Sequence, residues 1–207
     1  AFVVDEQSLD YNRFKQRLQN DLIETDVKVQ LNTKFNPKQL NEFDLVINCT
    51  YSNINYLLPE EQRINYQFEL VEKCKIDWLW GKMSGVVLDG DYVCIDPTGD
   101  GNEHQLGHVK HAIHQTHIGH FFHEITFDIS GTRYWNIVSD LKKYFKIQHF
   151  SKLETQYIVR TVLPNREHDD ARPSYITKHN DGLYSIFSGK IDTVVDISNE
   201  LIKMLKQ

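Results

Sequence analysis

No strand in this chain is followed by Gly-x-Gly-x-x-Gly, the turn that seats a dinucleotide pyrophosphate on a helix N-terminus. A fold that opens on such a turn is therefore not complete within these 207 residues. There is no Cys-x-x-Cys either. Cys49, Cys74 and Cys94 are odd in number and widely spaced, which excludes a disulfide framework and points to a reducing, cytoplasmic setting. No apolar run approaches the ~20 residues that span a bilayer, and no charged-then-apolar leader opens the chain. The expectation is no membrane partner. Excess positive charge is also missing. A net charge of −6 argues against a nucleic-acid partner, which requires a basic face to displace counterions. Internal repeats and low-complexity segments are absent.

What is present reads as a globular chain, 40% hydrophobic and 25% charged, long enough for one core or two intimately packed lobes. Residues 8–24 have an apolar stripe at helical spacing (Leu9, Phe14, Leu18, Leu22), with Ser8 or Asp10 as cap. DVKVQL, residues 26–31, alternates like a strand. Leu45, Val46 and Ile47 form a continuous apolar run, the pattern of a strand covered on both faces. After Pro59 the period changes to 2. Residues 66–76 alternate, and Val86–Leu88 and Tyr92–Ile95 flank Asp89-Gly90-Asp91, a hairpin signal. Residues 106–129 read as one or two strands, NIVSDLKKYF as a helix and Tyr157–Leu163 as a strand. The tail runs Leu183–Phe187 as an apolar strand, a Ser-Gly turn, then a helix. The fold class expected is mixed α+β: residues 1–58 with 164–207 as one α/β lobe, and residues 59–163 as a mostly antiparallel sheet lobe.

Histidine is the loudest local signal. His108, His111, His114, His117, His120 and His123 recur at every third position. Imidazole is the commonest metal-ligating side chain, but on a strand a period of 3 sends successive rings to opposite faces. No cysteine lies nearby and carboxylates are sparse, so the expectation is no metal site, with one or two rings lining a cavity. Ser188-Gly189-Lys190-Ile191-Asp192-Thr193 is a strand-to-helix turn. It suits contact with a ligand acceptor, with Gly189 allowing close approach and Asp192 or Thr193 available as cap. The plainer alternative is an ordinary α/β turn. Asn48-Cys49-Thr50 ends a buried strand, where ligands of open α/β sheets bind. Arg172 in a rigid Arg-Pro turn suits an anionic group, or else pairs with Asp169 or Asp170. Cys49 and Cys94 read as core fillers.

Taken in order, FDLVINCTYSNIN, VVLDGDYVCIDPTGDGNEHQLGHVKHAIH, ARPSYI and DGLYSIFSGKIDTVVDISNEL resemble FAD-dependent oxidoreductases of the D-amino-acid-oxidase-like family. The resemblance covers nearly the whole chain but only the C-terminal portion of that family. It implies FAD as cofactor of the intact protein, held weakly or not at all by these residues alone. It implies hydride transfer from a C–N or C–O bond of a small-molecule substrate to the flavin. Asn48, Cys49, Thr50 and Ser188 to Thr193 would contact the cofactor. His108 and His111 would line the substrate face, and Arg172 would meet an anionic substrate group. Many members carry Gly where this chain has Tyr51. The Gly-rich turn is expected upstream of Ala1, and an edge left unpaired by its absence favours a homo-oligomer. Two other readings remain: a cofactor-free module that binds a small molecule or a protein, and a His-rich metal-dependent hydrolase.

Overall fold

A computed structural model describes residues 3–5, 9–79, 81–88, 92–166 and 172–206. The protein is mixed α+β. Helix α1 spans Tyr11–Glu24, α2 Tyr134–Tyr144 and α3 Val194–Leu205. The strands are β1 (Val46–Asn48), β2 (Tyr66–Trp78), β3 (Gly85–Val86), β4 (Val93–Pro97) and β5 (Glu103–His108). They continue with β6 (Ile113–Gly119), β7 (Phe150–Val162), β8 (Tyr175–Asn180) and β9 (Leu183–Phe187). One sheet has the order β1-β9-β8; the larger has β3-β4-β5-β2-β6, with β7 also on β2. Among the described residues, no helix is long and apolar enough to cross a membrane.

By packing, the chain divides into two units, with boundaries inside β2, β6 and β7 rather than at Pro59 and Pro164. The first comprises Ala1–Asn32, Val71–His114 and Ile129–Ile158. Its core joins Cys74, Ile76 and Trp78 of β2 to Val93 and Ile95 of β4, Leu106 of β5, and Tyr134, Ile137, Val138 and Leu141 of α2. The α2 spacing is one helical stripe, so the helix lies on the sheet along a single face. β3 and β4 pair antiparallel with Val86 opposite Cys94, as the hairpin pattern predicts; the turn residues 89–91 lie outside the described set.

The second unit comprises Thr33–Leu70, Gln115–Asp128 and Val159–Gln207. Its core is aromatic, with Tyr66, Phe68 and Phe187 packed on Ile54. β9 is central in the smaller sheet, parallel to β1 and antiparallel to β8.

Three expectations need correction. DVKVQL forms no strand: Val27, Val29 and Leu31 are exposed, and Asp26 and Asn32 on either side are left-handed at φ 55°. Alternation makes a strand only where another strand pairs with it, and among the described residues none does. Helix α1 is capped by Asp10, whose carboxylate accepts from Arg13 N–H, yet it buries no residue: Leu18 and Leu22 stay exposed. Finally, β1 is shifted one residue past its apolar run and is not covered on both faces, because Leu45 and Ile47 remain exposed. β1 pairs with β9 along one edge only.

Candidate functional site

The second unit brings the expected cofactor residues to one end of a parallel strand pair. Val46, Ile47 and Asn48 lie opposite Leu183, Tyr184 and Ser185, so both strands point their carboxyl ends the same way. The Asn48 side chain is buried and organises the β1 end. Its amide donates to the Ile54 carbonyl at 2.8 Å and to Ser185 Oγ at 3.4 Å. Its Oδ1 accepts from the Thr50 N–H at 3.2 Å and the Thr50 hydroxyl at 2.7 Å. Cys49 between them is exposed rather than a core filler, because Asn48 takes the inward position of the pleat.

Tyr51 has φ 53°, in the left-handed region where glycine is favoured. Tyr51 holds this conformation through its side chain. The hydroxyl donates to the Thr161 carbonyl and accepts from the Thr161 N–H, each at 2.8 Å, and the ring stacks on Phe187 at 6.0 Å.

At the end of β9 the chain passes through Ser188, Gly189 and Lys190 into a short 3-10 turn, Ile191–Thr193, and then α3. A Cβ on Gly189 would sit 2.6 Å from Arg172 Cβ and 2.8 Å from its carbonyl oxygen. The approach that Gly189 permits is therefore by the Arg172 backbone, which places the Arg-Pro turn against the Ser-Gly turn. The expected cap is not formed: neither Asp192 nor Thr193 bonds a helix N–H. Instead the Ser188 and Thr193 hydroxyls both donate to the Lys190 carbonyl, at 2.8 and 2.9 Å, and both touch Ser174 Oγ. The first N–H groups of the helix are left without a side-chain acceptor, the arrangement suited to an external acceptor. Lys190, Ile191 and Asp192 are exposed beside it.

Of the six regularly spaced histidines, His108, His111 and His114 belong to the first unit and His117, His120 and His123 to the second. The turn between β5 and β6 defeats the period-3 argument, since it lets His108 and His111 face one carboxylate. Asp140 of α2 accepts from His108 Nε2 at 3.0 Å and lies 3.2 Å from His111 Nε2. Lys143 pairs with its other oxygen and, with the His108 ring, holds the carboxyl below its ordinary range against the opposing effect of burial. The three side chains are close enough to hold an ion, their ligand atoms lying within 4.8 Å. The donor chemistry does not suit one. His108 Nδ1 accepts from the main-chain N–H groups of Lys110 and His111, each at 3.1 Å. The proton of the neutral ring is then on Nε2, pointing at Asp140, where a metal would need a lone pair. The same bonds leave His108 no nitrogen for a substrate proton. This cluster ties the β5–β6 turn to α2.

Sequence reasoning missed Glu72. Its carboxylate is fully buried and accepts from His114 Nε2 at 2.7 Å, the Arg133 N–H at 2.7 Å, the Cys74 thiol at 3.3 Å and the Thr132 hydroxyl. Burial pushes the carboxyl pKa up, but these donors outweigh it and hold the group below its ordinary value. Burial, with the neighbouring Glu72 charge, pushes the Cys74 thiol up to about 12. The available signal was Glu72 within a strand-like segment, between Val71 and Lys73 of YQFELVEKCKI.

No protein-family model matches the chain, and no curated protein matches it.

Proposed function

We propose that this chain is the C-terminal portion of an FAD-dependent oxidoreductase acting on a C–N or C–O bond of a small molecule. The observation that carries this reading is the parallel β1–β9 pair. It draws Asn48, Cys49 and Thr50 to the same sheet end as Ser188 to Thr193, from opposite ends of the sequence. Ligands of open α/β sheets bind outside the carboxyl ends of such strands. Two details favour a cofactor there. The backbone at Tyr51 has the left-handed φ that suits the glycine found there in the family this chain resembles, and α3 starts without a side-chain cap.

The residues present fit part of an FAD site. The open N–H groups ahead of α3 would donate to an acceptor on the flavin ring, and the Thr50 end of β1 would flank the cofactor. Bound flavin supplies the electron sink for hydride leaving the substrate carbon. Arg172, fixed against Gly189, would orient an anionic substrate group. The pyrophosphate anchor belongs to a Gly-rich turn upstream of these residues, and without it most of the FAD contact energy is missing.

The test compares two proteins. The chain alone is expected to purify colourless. A version extended by its upstream coding sequence is expected to carry stoichiometric FAD, with an absorbance band near 450 nm. An upstream sequence without Gly-x-Gly-x-x-Gly, or an extended protein that stays colourless with FAD added, overturns the proposal and leaves the cofactor-free binding module.

A further inference from the structure

The β1 end does not stand alone. In the β8–β9 pairing, Lys178 lies opposite Tyr184 and Asn180 opposite Leu183, so His179 is an extra residue in a β-bulge. A bulge re-aims a side chain. Here it turns the His179 ring across the hairpin, with Nε2 2.9 Å from Ser185 Oγ and Nδ1 3.1 Å from Gln62 Oε1. Ser185 Oγ is in turn the second acceptor of the Asn48 amide.

The donors can be assigned from this chain of contacts. Asn48 Oδ1 faces two donors of Thr50, so its amide nitrogen faces Ile54 and Ser185. Ser185 therefore accepts from Asn48 and has its own proton for His179 Nε2. A neutral ring then carries its proton on Nδ1 and donates to Gln62 Oε1. The direction runs without a break from Thr50 and Asn48 through Ser185 to His179 and Gln62.

We propose that Gln62, His179 and Ser185 form a directed hydrogen-bond relay that positions Asn48 and Thr50, and that protonation of His179 loosens the carboxyl end of β1. The inference rests on the reading of that end as the cofactor site. A second proton on His179 makes Nε2 a donor. Ser185 Oγ then receives two donors, and its own buried proton loses its acceptor. A buried polar group without a partner is costly, so the strain moves to the weakest link, the 3.4 Å contact with Asn48. Burial holds the His179 pKa below its ordinary value of 6.5. The ionisable groups nearby do not replace this effect. Lys178 and Asp181 pair with each other at 2.9 Å beside His179. Glu60 and Glu61 share the short turn with Gln62, and Tyr175 and Tyr184 lie on the hairpin strands. On α3, which packs against β8, the ionisable residues are Asp196, Glu200 and Lys203; β1 has none.

The test is NMR on the whole chain. It follows the His179 ring proton and the hydrogen-exchange protection of the Thr50 N–H, corrected for intrinsic pH dependence, between about pH 5 and 8. In the unmodified protein, Thr50 protection is expected to fall about fivefold or more as His179 titrates, the low end of a coupling between two sites. In Ser185→Ala, His179 still titrates but Thr50 no longer follows. Should Ser185→Ala not fold, His179→Gln decides: Thr50 protection then becomes independent of pH. Protection that does not follow His179 in the unmodified protein overturns the relay, as does protection that still follows it in Ser185→Ala or still falls in His179→Gln. None of these readouts needs flavin. A relay that behaves as stated beside a colourless extended protein overturns only the flavin reading.

Discussion

Helices α2 and α3 treat their first N–H groups in opposite ways. At α2 the Arg133 N–H is met by Glu72, a carboxylate from β2 more than 60 residues back, and Thr132 accepts from the Tyr134 N–H. The helix start is closed from inside, with negative charge where the helix dipole favours it. At α3 the nearby hydroxyls of Ser188 and Thr193 turn to the Lys190 carbonyl, and among the described residues no side chain caps the helix. A closed helix start serves the fold. At α3 the Val194 N–H is taken by the main chain itself, through the Ile191 carbonyl.

The sharpest way to break this contrast is Glu72→Ala. It takes away the buried acceptor shared by the Arg133 N–H, His114 and Thr132, and a loss of about 3–5 kcal/mol in urea unfolding is expected. Acid does the same by degrees. The folded state holds Glu72 below its ordinary 4.5, so the unfolded chain binds that proton more tightly. Its stabilisation is complete above pH 4.5 and is lost as pH falls further, which an acid series of melting curves reads directly. At α3 the comparable change is Gly189→Ala. The new methyl meets the Arg172 backbone, and about 1–3 kcal/mol is lost in thermal unfolding. Tyr51→Phe is next. It leaves the Thr161 N–H and carbonyl without their partner, for about 1–2 kcal/mol in the same assay. Lys143→Ala is the smallest. The ammonium is well exposed, so a change within about 0.5 kcal/mol that shrinks further in salt is expected.

The tail was legible in the sequence because its signals are local. Leu183–Phe187 is a strand to the residue, and the apolar stripe that follows is α3. The hairpin arms around residues 89–91 were legible for the same reason. DVKVQL was not, since alternation reports a face to bury but not a neighbour to pair with. The partners of the buried polar groups were also hidden. Glu72 finds Thr132 and Arg133, and Asp140 finds His108 and His111, only through the packing of α2 on the sheet. Likewise, the left-handed Tyr51 rests on Thr161, a contact between residues 110 apart in the chain. His179 enters the candidate site through a bulge that no composition signals.

The pairing of β1 with β9 also has a consequence in time. Asn48 and Ser185 are 137 residues apart. At a synthesis rate of about 5–20 residues per second, β1 leaves the ribosome roughly 7–27 seconds before its parallel partner exists. Through that interval the short strand, with Leu45 and Ile47 beside it, has no β9 to shield its edge. The candidate site is thus among the last places in the molecule to form. A nascent chain stalled before Leu183 would hold every residue of β1 and of β8 but not β9, the strand that joins them.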